Sequence, residues 1–245
     1  NRRVDITAAG KNADYNDIIN VKPAATSKMQ VVIRPDIDET ERPGLLAGKS
    51  GGVVDKTAGT GFIVRINRTD QFWNRKAYGG VQGEPAETDN GNVMIVTSDP
   101  HDTESDINGS WDSIALGAVT NGMLDITVTP KQSTTTLRID AYDLGLLAAT
   151  GTVSGMIVNA AGATKVHIVL DCGAACGEKL EQGGTSGVNG VPKLQTAGSR
   201  IAVKVYLVDN NFNQVLQTTS AVKILTSGVT DFGVESSTKE INTGL

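Results

Sequence analysis

The sequence predicts an all-β protein: an antiparallel, Ig-like β-sandwich, either one elaborated sandwich or two in tandem. Three observations carry this expectation. Short stretches alternate apolar and polar residues along all 245 positions, as a strand buried on one face must, because successive side chains point to opposite sides. Aromatics are only 4% of residues while glycine numbers 28, so the apolar mass rests on Val, Ile, Leu and Ala, with many tight turns between strands. No amphipathic helical stretch exceeds about ten residues, the length at which a helix becomes credible. Asn12–Asn20 and Tyr142–Thr150 have room for one or two helical turns. Without crossover helices, a parallel α/β sheet cannot be connected.

The strands are predicted in order. Val4, Ile6 and Ala8 share one face, with Asp5 and Thr7 on the other. Met29, Val31 and Ile33 repeat the pattern against Gln30 and Arg34. Phe62–Ile66 and Val93–Val96 are apolar on both faces and read as central strands or strands at a buried interface. Leu124, Ile126 and Val128 alternate again, as do Leu137, Ile139 and Ala141. Lys165–Leu170 follows, then Ile201, Val203, Val205 and Leu207 with Lys204 and Tyr206 pointing outward, and Val215–Leu225 with a bulge near Thr218. Turn signals separate these runs at Asn90-Gly91, Asn108-Gly109, Asn121-Gly122, Gly162, Asn189-Gly190 and Asn210-Asn211. Asn121-Gly122, between two apolar runs, predicts a type I′ turn. Two domains would divide near Thr120–Gly122: residues 1–10 a separable strand, 11–121 a β-rich region or first sandwich, 122–234 a sandwich, and 235–245 a polar tail. A single domain is the other arrangement. No repeated unit is visible along the chain.

Net charge is −5 with Lys and Arg scattered, which excludes the basic clusters that phosphate binding needs, so no nucleic-acid partner is expected. No apolar run reaches the roughly 18 residues of a membrane-spanning helix. A start at Asn1 without Met fits removal of a signal peptide. Cys172 and Cys176, in Asp171-Cys-Gly-Ala-Ala-Cys-Gly, read as a small-loop disulfide in an oxidising compartment, with free thiols as the alternative.

Motifs for chemistry fall short. Gly44-Leu-Leu-Ala-Gly48-Lys49-Ser50 lacks the spacing of a P-loop. Asp102, Glu104 and Asp106 space carboxylates every second residue, as in a calcium loop, but Ile107 and Ser113 replace the glycine and glutamate of an EF-hand. These three read as a solvated acidic loop or an irregular calcium site; Asp36, Asp38 and Glu39 read the same way. His101 and His167, the two histidines, have no Gly-x-Ser-x-Gly elbow to serve and too few companions for zinc. No catalytic residue and no cofactor is predicted. Phe72, Trp73, Tyr78 and Trp111 gather much of the aromatic content, either to cap one end of the core or to form a contact patch. Asn67-Arg68-Thr69 and Asn108-Gly109-Ser110 match the glycosylation triplet.

The Met-less start, the Val/Thr/Ala/Gly-rich strands, the few aromatics and the alternating segment Val4-Asp5-Ile6-Thr7-Ala8 together resemble fimbrial subunits of the chaperone–usher type. The resemblance implies a subunit of an extracellular filament that assembles by β-strand addition. Val4, Ile6 and Ala8 would then enter the neighbouring subunit, and the partners would be copies of the chain itself, an assembly chaperone and a host receptor. The alternatives are a virion component (tail-tube, decoration or capsid protein) and a secreted carbohydrate- or protein-binding module.

Overall fold

The computed structural model describes residues 5–6, 14–15, 22–33, 52–78, 87–102, 114–146, 150–170, 177–196, 198, 203–216, 221–222 and 239–240. Every regular element among them is a strand. In chain order these are β1 (Asp5–Ile6), β2 (Asp14–Tyr15), β3 (Lys28–Ile33), β4 (Lys56–Thr57), β5 (Phe62–Thr69) and β6 (Ala77–Tyr78). Next come β7 (Glu87–Thr88), β8 (Gly91–Thr97), β9 (Ile114–Val119), β10 (Met123–Val128), β11 (Thr134–Asp143) and β12 (Thr150–Asn159). The last six are β13 (Lys165–Val169), β14 (Lys179–Leu180), β15 (Val188–Asn189), β16 (Lys204–Val208), β17 (Ala221–Val222) and β18 (Lys239–Glu240). The all-β expectation is met.

Two sheets face each other. One is three-stranded in the order β10-β5-β3, the other five-stranded in the order β4-β12-β11-β8-β9. All their pairings are antiparallel except β4 on β12. Both sheets feed one core: Met29, Val31 and Ile33 from β3, Val64 and Ile66 from β5, and Val128 from β10 meet Val93, Ile95, Leu137, Ile139, Val153, Met156 and Val158. The alternation that predicted β3, β10 and β11 is the alternation by which those strands fill this core. Where β12 crosses β3 the backbones nearly touch; a Cβ on Gly151 would lie 2.5 Å from the Met29 carbonyl oxygen. The pairing of β11 with β12 shifts register between Ile139↔Val153 and Leu137↔Met156. Gly155, at φ 76°, sits inside that shift. This bulge lets Val153 and Met156, three positions apart, both be buried.

Several expectations are corrected. The division at 121/122 falls inside this core, because β10, β11 and β12 pair with β5 and β8 from before it. Asn121 and Gly122 have φ of 52° and 71°, the I′ geometry, but the strands they join do not stay together. β9 belongs to the five-stranded sheet and β10 to the three-stranded one, so the turn hands the chain across the core. Phe62–Ile66 is not apolar on both faces in use: Ile63 is exposed, and the strand runs on to Thr69. Tyr142 and Asp143 extend β11, and Thr150 opens β12. Of Val215–Leu225 the described part is Val215 and Leu216, outside any strand, and Ala221–Val222 in β17.

The chain does contain a repeat. β13 pairs with β16 antiparallel from Lys165↔Val208 onward, as β3 pairs with β5 from Lys28↔Thr69. Each pair ends in a five-residue loop closed by a single bridge, Thr69↔Arg75 in one and Val208↔Gln214 in the other. The sequence carries the same unit. Thr57-Ala58-Gly59, Val64, Asp70 and Asn74 recur at constant spacing as Thr196-Ala197-Gly198, Val203, Asp209 and Asn213. Gly59 and Gly198 share a left-handed backbone, at φ 78° and 84°.

Candidate functional site: a duplicated aspartate loop and the joint it builds

Asp70 and Asp209 organise the two loops in the same way. Oδ1 of Asp70 accepts the N–H groups of Phe72 (2.8 Å) and Asn74 (3.0 Å), while Oδ2 accepts Asn74 Nδ2 (3.0 Å) and the Ala24 N–H (3.0 Å). Oδ1 of Asp209 accepts the N–H groups of Asn211 (2.8 Å) and Asn213 (2.9 Å), and Oδ2 accepts Asn213 Nδ2 (2.9 Å) and the Ala161 N–H (3.0 Å). Below each loop, the N–H of Ser27 or Thr164 donates to the carbonyl of Thr69 or Val208. An ionised carboxylate offers only acceptor sites, so it satisfies the converging amides of such a turn.

Both loops close as a three-residue turn whose last residue is left-handed, the geometry of a type I turn with a bulge. Glycine or asparagine usually fills that position. Here it is Trp73 at φ 66° and Phe212 at φ 60°, a strained choice for a bulky side chain. The ring is held from above. Lys28 Nζ lies 4.5 Å from the Trp73 ring centre and donates to the Gln71 carbonyl at 3.0 Å. Lys165 Nζ lies 4.3 Å from the Phe212 ring and donates to the Asn210 carbonyl at 3.1 Å. The cation–π contact offsets part of the backbone strain.

Burial opposes ionisation of Asp70, but the Asn74 side chain and the N–H groups of Ala24, Asn74 and Phe72 together outweigh it. They hold the carboxyl below the ordinary aspartate range.

The Asp209 loop is seated on the two-sheet body formed by β3–β5 and β8–β12. Asn213, with no exposed surface, accepts the Ser133 N–H at 2.7 Å and donates to the Lys131 carbonyl at 2.8 Å. Gln182 Oε1 accepts Ser133 Oγ at 3.0 Å and the Gln214 N–H at 3.2 Å. Gly183 N–H donates to the Asn211 carbonyl at 2.7 Å. Asp99 shapes the receiving end by accepting the N–H groups of His101, Lys131 and Gln132 at 2.9, 2.6 and 2.9 Å. Gly59 borders this fit: it is left-handed at φ 78°, and a Cβ there would come 2.6 Å from the end of the Asn211 side chain. His101 and Gln132 also line a neighbouring cavity of about 440 Å³ with Lys179, Glu181, Gln182 and Asn189.

Of the residues singled out by sequence, Phe72 and Trp73 belong to the Asp70 loop, Phe72 at 65% exposure. Tyr78 lies in β6, paired with β7, and its side chain is outside the described residues, as is Trp111. The four do not form one described patch. Asp102 lies beside Thr97, whose hydroxyl donates to it; Glu104 and Asp106 lie outside the described residues. Among the described residues no group of three acidic, His or Cys side chains could hold a metal. His167 packs edge-on to Phe212 at 5.0 Å, beneath the second loop. Cys172 and Cys176 lie outside the described residues, as do Val4 and Ala8; the backbone of Ile6 pairs with Asp14. Sequence reading missed Asp70, Asn74, Asp209 and Asn213. The signal was their recurrence, not the alternation.

No family model matches the chain, and no curated protein matches it in sequence.

Proposed function

We propose that the chain is a non-catalytic structural element of an extracellular filament or stalk, in which β-domains of one kind stand end to end. We read the two-sheet domain as an Ig-like sandwich. The single observation carrying the proposal is the duplicated loop: a second unit with the same hydrogen bonds as the first, its Asn213 clasped between Lys131 and Ser133 of the domain before it. The acidic residues support the same reading. Asp70, Asp99, Asp143 and Asp209, all at most 2% exposed, accept backbone N–H groups that fix loops. Partners would be further domains or copies of the same kind. An antibody raised against the purified chain tests the proposal on the intact source. Labelling of appendages at the outer surface is the expected result; labelling confined to the interior, or a substrate turned over by the pure protein, overturns it.

A further inference from the structure

The connection between the two-sheet body and the β13–β16 pair is short. Asn159, the last residue of β12, accepts the Ala58 N–H through its carbonyl at 2.8 Å. Two residues on, the Ala161 N–H is already bound to Asp209 Oδ2. Two residues reach at most about 7 Å, so this connection limits how far apart the two parts lie and leaves their angle open. The angle has to be set by contacts from elsewhere in the chain, and the Asn213 clasp is one of them.

The β14–β15 hairpin supplies another. Its ladder has only two residues per strand, Lys179↔Asn189 and Leu180↔Val188, and the Glu181 N–H donates to the Gly187 carbonyl at 2.9 Å to close the loop. A hairpin that small does not hold a shape alone in water; its neighbours give it one. At its root, Glu178 Oε2 accepts the N–H of Leu170, just past β13, at 2.9 Å. Gly187, left-handed at φ 72°, lies so close to Phe212 that a Cβ would come 2.2 Å from the ring. Gly183 meets the other partner. It is left-handed at φ 80°, a Cβ there would lie 3.0 Å from the backbone of Gln132 in the two-sheet body, and its N–H reaches the Asn211 carbonyl.

Gln182 joins the two partners through one atom. Its Oε1 accepts the Ser133 hydroxyl from the body at 3.0 Å and the Gln214 N–H from the pair at 3.2 Å. A backbone N–H only donates, so the amide oxygen of Gln182, and not its nitrogen, makes this bond. We propose that the β14–β15 hairpin is a strut wedged between the β13–β16 pair and the two-sheet body, and that it holds the joint at one angle, as a rigid coupling and not a hinge. The inference rests on the end-to-end reading above for its use, and adds what keeps successive units aligned.

The test is the orientation of the two parts in solution, measured as residual dipolar couplings of the backbone amides in the whole chain. In the native protein, couplings from β3, β5, β11 and β12 and those from β13 and β16 should fit one common alignment. Gln182→Leu removes the shared acceptor. The pair should then need an alignment of its own, and the Gln214 and Gly183 amides should exchange about 10-fold faster. Gln182→Glu keeps an acceptor oxygen in the same place and should behave as the native protein does. Exchange of the β3 amides should be the same in all three, because the core does not depend on the strut. The proposal is overturned by separate alignments in the native protein, by a common alignment that survives Gln182→Leu, or by Gln182→Glu loosening the joint as much as Gln182→Leu. Antibody labelling bears on the end-to-end reading and the couplings bear on the strut, so the two fail separately.

Discussion

Two kinds of ion pair in this protein carry different energies, although their distances are alike. Arg65 meets Asp125 directly across β5 and β10 in a two-pronged contact of 2.7 and 2.8 Å, which raises the arginine pKa further. Both side chains are about 30% exposed, so Arg65→Ala should cost below about 1 kcal/mol. Arg68, at 7% exposure, reaches Asp89 at 2.7 Å and the buried Asp143 at 2.8 Å. Arg68→Ala should cost about 3–5 kcal/mol in urea unfolding, because two carboxylates lose their counter-charge. Asp70 gives a pH signature. Its folded pKa is lowered, so its contribution is complete above the ordinary aspartate value of about 3.9 and fades as pH falls through the lowered one. Asp70→Asn turns an amide toward backbone N–H donors and should cost about 1–3 kcal/mol at neutral pH. The gap in melting temperature between the two proteins should narrow below about pH 4; a gap that is constant from pH 7 to pH 2 would refute this account.

At the scale of elements, glycine sets where strands bend and sheets meet. A Cβ on Gly155 would touch nothing within 4 Å, so Gly155→Ala should cost only the left-handed backbone penalty of about 1–2 kcal/mol. Deleting Gly155 is a different experiment. It removes the extra residue and leaves Val153 and Met156 two positions apart, on one face of a regular strand, so the cooperative unfolding transition should survive. At Gly151 the obstacle is the Met29 carbonyl on the facing sheet. Gly151→Ala should therefore destabilise by about 1–3 kcal/mol through overpacking, more than Gly155→Ala where the space is open. Equal losses at the two sites would show that the close approach of β12 and β3 does not constrain the fold.

For the whole molecule, the joint is the feature to perturb. Asn74 and Asn213 hold their own aspartates alike, but Asn213 is also clasped by Lys131 and Ser133 of the two-sheet body, and Asn74 is exposed. Asn213→Ala should speed exchange of the Ser133 amide and widen the distribution of dimensions seen by X-ray scattering; Asn74→Ala should leave both unchanged. The period-two pattern by itself determined that the chain is all-β and where most long strands lie, because burial on one face of a strand is a local rule written into every second residue. Asn121-Gly122 also declared its turn, since few other pairs accept a left-handed backbone at both positions. The pattern could not assign strands to sheets, and so β9 and β10 look like a hairpin yet part company across the core. Nor could it show that Val166, Ile168 and Val203 are exposed, since alternation records which face seeks burial and not what packs against it. The paired loops were written in the sequence as well, but aspartate and asparagine are common in turns, and only the matched hydrogen bonds of Asp70 and Asp209 single them out. Distance in space between residues far apart in the chain is what the tertiary structure decided.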